Sequence, residues 1–211
     1  MRTLIVLAVL TIAIPVYGDL GQPNDIAPYG DFELDPQGTV LPTGWNSHWG
    51  DSGMIMSFAG SYSGDQCYGV GGGTGGIDIL VENPEPDHWE KQIYVGGWFI
   101  QILPNVENRA RFSLHMDPDP NVLPAGLDLY SPWYEDISTT VWNLREWYVS
   151  EVEPGVPLPC LDFTVNIEIE AGGMGSIWVD AVNVQHICIP EPACLSLLAL
   201  GGLALLRRKR S

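Results

Sequence analysis

The chain has 211 residues, 26 of them acidic and 9 basic, for a formal charge of −17. Five of the basic residues lie at the two ends, so residues 19–189 hold 25 acidic residues against Lys91, Arg109, Arg111 and Arg145, about −21. A surface of that sign repels nucleic acid and anionic lipid headgroups, so no nucleic-acid partner is expected.

The start of the chain reads as an export signal. Arg2 gives a short basic segment, residues 4–16 an apolar run, and Val16-Tyr17-Gly18 the small residues that precede a cleavage site. Residues 1–18 are expected to form a signal helix that is removed, leaving Asp19 at the mature terminus. Residues 19–188 then make one domain, long enough to bury a substantial core.

Within that domain the pattern is strands and turns, without a convincing amphipathic helix. Expected strands are 54–58, 66–70, 76–82, 91–101, 109–116, 147–152, 162–170 and 176–187. The clearest alternation puts Phe163, Val165, Ile167 and Ile169 on one face, with mostly charged residues opposite. In 109–116 it turns Arg109, Arg111, Ser113 and His115 outward. Gly-rich 71–76 and Pro-rich 84–87 and 154–159 read as connections. The Gly run lacks the Lys-Ser/Thr of a phosphate loop, and no helical pattern follows it. The fold expected is all-β, an antiparallel β-sandwich or jelly roll flanked by the signal helix and a short C-terminal membrane helix.

The C-terminus, residues 189–211, has three parts. Pro190-Glu191-Pro192 cannot continue a helix or a strand ladder, because both prolines lack an N–H and restrain the preceding residue. An apolar run to Leu206 follows, then Arg207, Arg208, Lys209 and Arg210, a basic stop that stays in the cytoplasm. A helix over 193–206 spans only about 21 Å, against a hydrocarbon core of roughly 30 Å.

This order resembles the PEP-CTERM sorting signal of Gram-negative bacteria. The resemblance implies an exosortase-type membrane enzyme as partner, transient anchoring in the inner membrane, removal of the tail, and delivery to the cell surface or extracellular polymer layer. A second resemblance lies in the body. Gly30-Asp31-Phe32-Glu33, followed by Leu41-Pro42-Thr43-Gly44-Trp45, pairs with a closing Gly175-Ser-Ile-Trp-Val-Asp180-Ala-Val-Asn183. These segments resemble the galactose-binding-like jelly roll of carbohydrate-binding modules. That likeness implies a structural Ca²⁺ held by Glu33 and Asp180, whose hard carboxylate oxygens suit the ion. The bare alternative is that both residues cap turns.

Of four cysteines, Cys194 belongs to the tail, so Cys67, Cys160 and Cys188 can form at most one bridge. Cys160 with Cys188 is one candidate pairing, and the spacing leaves the choice open. Asp117-Pro-Asp119-Pro-Asn121, with Asp128 beyond it, lacks the Gly of a Ca²⁺ loop and reads as a solvated loop. His48, His88, His115 and His186 sit in no catalytic motif. Eight tryptophans favour binding instead, since flat indoles beside carboxylates suit sugar faces. Trp98 and Trp178 fall inside strands and are expected in the core, and Trp45 follows the Gly-Trp pattern of the second resemblance. Trp49, Trp89 and Trp133, read as loop residues, are the candidate glycan contacts, although packing alone would also explain them. The expectation is a non-catalytic binding or structural component of extracellular polysaccharide. The alternative is a secreted hydrolase acting on that polymer, for which no catalytic residue is nominated.

Overall fold

The computed structural model describes residues 24–25, 30–50, 53–82, 89–121, 123–159 and 161–189. They form two antiparallel sheets packed face to face. The first sheet has the order β3 (Gly53–Ser57), β4 (Gln66–Gly71), β13 (Ser176–Ile189), β6 (Trp89–Leu103) and β9 (Asn143–Val149). A short β1 (Asn24–Asp25) pairs with the far half of β13, beyond the stretch that pairs with β4. The second sheet has the order β2 (Ser47–Gly50), β5 (Thr74–Val81), β12 (Phe163–Glu170), β7 (Arg109–Met116) and β8 (Leu127–Tyr130). A small hairpin, β10 (Glu151–Glu153) with β11 (Val156–Pro157), completes the described strands.

Alternation decides which side chains meet between the sheets. Phe163, Val165, Ile167 and Ile169 of β12, with Phe112 and Leu114 of β7, are buried against Val95 and Phe99 of β6 and Val179 of β13. Phe99 and Phe112 touch across the sandwich, ring centroids 5.7 Å apart. The chain repeatedly changes sheets (β5 to β6, β6 to β7, β8 to β9, β12 to β13), which is how a jelly roll closes one core from distant segments.

The opening and closing motifs meet directly. In β13 the register slips between Asp180 and Asn183, and Ala181 has φ 46°. This is a bulge, with one extra residue that re-aims its neighbours. The Val182 N–H donates to the Gly30 carbonyl at 2.9 Å. A Cβ at Gly30 would lie 1.9 Å from the Val182 carbonyl oxygen, so only glycine permits the approach. Phe32, buried and at φ 59°, then stacks on Trp45 at 5.8 Å.

The tryptophan placements and some strand assignments need correction. Trp49 lies in strand β2 and Trp89 begins β6, so neither is a loop residue. Trp98 and Trp178 are half-buried on the outer face of the first sheet, outside the core. Trp98 stacks on Tyr62 at 3.9 Å, and the Trp178 Nε1–H donates to the Ser176 hydroxyl at 2.8 Å. Finally, β2 and β8 are strands where none is expected, and β11 falls in the expected 154–159 connection, because such short segments show no alternation. Residues 1–18 and 190–211, with Pro190, Glu191, Pro192 and the basic stop at 207–210, lie outside the described residues. Cys160 and the Cys188 side chain do too. Cys67 is buried and free, its thiol pushed up to about 12 by burial and then by the Asp180 charge.

Candidate functional site

Register assembles a groove on the outer face of the second sheet. Residues paired across neighbouring strands share a face, so side chains line up in rungs across five strands. One rung runs Ser47, Asp78, Asn166, Ser113, Tyr130. Beside it runs Trp49, Gly76, Glu168, Arg111, and on the other side His115 with Asp128. The outer strands lie about 19 Å apart, from four inter-strand steps of roughly 4.8 Å. A shallow cavity of about 420 Å³ occupies this floor, lined by Trp49, Ser113, His115, Tyr130, Asn166 and Glu168, among others.

Each rim residue is placed for a reason. The Trp49 indole lies against Gly76, where a Cβ would come within 2.5 Å of Nε1. A Cβ there would also meet the Ile167 carbonyl oxygen at 2.2 Å, so the close approach needs glycine. On the far edge Tyr130 is 52% exposed, and the Arg111 guanidinium carbon lies 4.3 Å from its ring centroid. Trp133, between β8 and β9, takes Arg109 at 4.4 Å and Arg111 at 4.3 Å. Those arginines stand two residues apart on β7, about 7 Å, so the indole is held between them. Trp133 thus packs against both arginines, while Trp49 and Tyr130 are the more exposed rings of the groove.

The floor is polar and internally paired. Arg111 Nε donates to Glu168 Oε2 at 2.7 Å, and the Ser113 hydroxyl donates to Glu168 Oε1. Arg109 pairs with Glu170 at 2.6 Å. His115 faces Asp128 through Nδ1 at 2.7 Å and Asp117 through Nε2 at 3.3 Å. Its pKa is raised, first by the Asp128 hydrogen bond and then by that to Asp117. The outward set Arg109, Arg111, Ser113 and His115 was legible in the alternation of β7. Tyr130, Asn166 and Glu168 were missed as site residues, since only pairing of β8 and β12 with β7 brings them there.

The two carboxylates expected to share a metal do come to one turn, on the other sheet. Glu33 Oε1 accepts the Asp65 and Gln66 N–H groups at 2.8 and 2.7 Å. Asp180 Oδ2 accepts the Ser63 N–H at 2.8 Å, and Oδ1 that of Ala181 at 2.6 Å. Asp180 is fully buried, and its pKa is raised to about 6, by burial above all and also by the Glu33 charge. The three described arginines pair elsewhere, with Glu170, Glu168 and Asp136, so none neutralises this pair. The Trp89 side chain lies outside the described residues.

No protein-family model matches the chain, and no curated protein does. Solved structures do match in fold. TmCBM61, in complex with beta-1,4-galactotriose, superposes with TM-score 0.52 at 14% identity, over 76% of this chain and 97% of that one. The N-terminal CBM22-1-CBM22-2 tandem of Xyn10C from Paenibacillus barcinonensis gives 0.53 at 12% identity, over 80% of this chain and 47% of the tandem. An apo cyclase from Fischerella sp. gives 0.51 at 13% identity, over 78% and 96%. At these identities the likeness establishes the β-sandwich, and the chemistry rests on the groove.

Proposed function

We propose that this chain is an exported, non-catalytic protein that binds extracellular polysaccharide through the outer face of its second sheet. The observation that carries this reading is the polar trough between Trp49 and Tyr130. Two rings at its rims can stack on sugar faces, while Asp78, Asn166 and Ser113 between them offer donors and acceptors to hydroxyls. Sharing a fold with TmCBM61 is consistent with that use. The signal at 1–18 and the PEP-CTERM tail would bring the domain to the matrix by way of the inner membrane and an exosortase.

We further propose that Glu33 and Asp180 take part in holding a structural Ca²⁺. Two hard carboxylates bind one turn, no arginine among the described residues pairs with them, and one of them is fully buried. The ion would supply that missing positive charge and pin the 58–66 segment to the bulge of β13. It would take no part in the groove.

The test is binding of the purified chain to soluble β-1,4-galactan, xylan and mixed-linkage glucan, with release of reducing sugar measured alongside. Saturable binding without turnover supports the proposal. Polymer cleavage would favour the hydrolase, and neither binding nor cleavage would leave a purely structural protein.

A further inference from the structure

Two arginines lie on the proposed glycan face, and arginine in a binding groove ordinarily attracts carboxylate or sulfate. Here both are already committed. Arg111 gives Nε to Glu168 at 2.7 Å while its guanidinium lies 4.3 Å from both the Tyr130 and Trp133 ring centroids. Arg109 gives Nε to Glu170 at 2.6 Å and lies 4.4 Å from the Trp133 ring. The Arg111–Glu168 pair is the less exposed of the two, at 24% and 15%. His115 stands between Asp117 and Asp128, so any charge it carries is exceeded by theirs. Asp78 adds another carboxylate to the central rung, bonded to the Ser47 hydroxyl. The whole face is thus net negative, and its cations serve as internal counter-ions and ring supports.

Resting on the carbohydrate-binding reading, we infer that Glu168 is a specificity-determining residue: by claiming Arg111 it makes the groove accept uncharged glycans and reject polyuronates. Glu168 acts in two directions. Its Oε2 neutralises the guanidinium that lies over the Tyr130 rim, and its Oε1 takes the Ser113 hydroxyl. A uronate carboxylate laid in the trough would meet Glu168 and Asp78, while Arg109, Arg111 and His115 of β7 each already face a carboxylate. At separations near 4 Å such repulsion, even well solvated, is large enough to cost roughly fivefold in affinity. A neutral hexose avoids that repulsion and still finds the stacking surfaces.

The experiment compares the full chain, at fixed Ca²⁺, on neutral β-1,4-galactan, xylan and mixed-linkage glucan and on polygalacturonate and alginate. The wild type is expected to bind at least one neutral polymer and to bind both polyuronates roughly fivefold more loosely or worse. Raising salt from about 0.05 to 0.5 M should leave neutral binding unchanged and improve what polyuronate binding there is, because repulsion is being screened. Glu168→Gln, checked for an unchanged melting profile, should release Arg111 and bring polyuronate affinity up several-fold. Polyuronate binding as tight as any neutral polymer, or weakening with salt in the wild type, would overturn the inference. So would a folded Glu168→Gln protein with no gain. Failure to bind any polymer would instead overturn the glycan reading on which the inference rests.

Discussion

The two outer faces of the sandwich are both rich in aromatic residues, yet they use them oppositely. On the first sheet the 58–65 segment lies across the strands: Tyr62 stacks on Trp98 at 3.9 Å, and Phe58 meets Trp178 edge-on at 4.9 Å. The Trp142 Nε1–H donates to the Gly60 carbonyl at 2.7 Å, and the same segment wraps Glu33 and Asp180. These rings stabilise a covering loop. On the second sheet no described segment crosses Trp49 or Tyr130, and a polar floor separates them. An aromatic residue marks a sugar surface only where one face of the ring stays open beside hydrogen-bonding groups.

The comparison presupposes one shared core, and the largest effect should come from breaking it. Ile167→Ala, at a fully buried position between the sheets, should cost about 2–5 kcal/mol in denaturant unfolding. Groove binding and loop packing should then be lost together. A loss confined to one face would mean that the sheets do not share a core.

The carboxylate pair gives the next largest effect and belongs to the covered face alone. In metal-free protein the raised pKa of Asp180 means that the native state keeps a proton which the unfolded chain has lost. Stability should therefore fall as pH rises from about 4 to about 6, by at most about 3 kcal/mol, and level off above. Asp180→Asn should remove that slope. If Ca²⁺ binds there, adding it should raise the melting temperature and reverse the slope, because the ion needs both carboxylates ionised. Denaturation followed across pH, with chelator and with Ca²⁺, measures both. An unchanged melting temperature on adding Ca²⁺ would remove the proposed site while leaving the groove untouched.

Legibility in the sequence differed between the regions for physical reasons. Long strands with strict alternation, such as β12 and β7, declared both their boundaries and their outward faces. The Gly30–Glu33 and Trp178–Asp180 motifs also pointed to each other, because a glycine-only backbone contact and a bulge join them. The groove was harder to see. Trp49 and Tyr130 are 81 positions apart on four-residue edge strands, and only cross-strand register places them on opposite rims. The role of Trp133 depended on two arginines whose spacing was visible but whose ring partner was not.

A paired substitution sharpens the contrast between faces. Trp98→Ala should lower stability by about 1–3 kcal/mol through lost stacking with Tyr62, without changing polysaccharide affinity. Trp49→Ala should do the reverse, since its indole is 36% exposed and rests on a glycine.

The most direct measurement is therefore a pair of binding isotherms, wild type and Trp49→Ala, on soluble β-1,4-galactan, xylan and mixed-linkage glucan. The account predicts saturable wild-type binding to at least one polymer, weakened roughly tenfold or more by loss of the indole, with the melting temperature unchanged. Wild-type affinity retained by a folded Trp49→Ala protein would contradict it and move the binding surface off the second sheet.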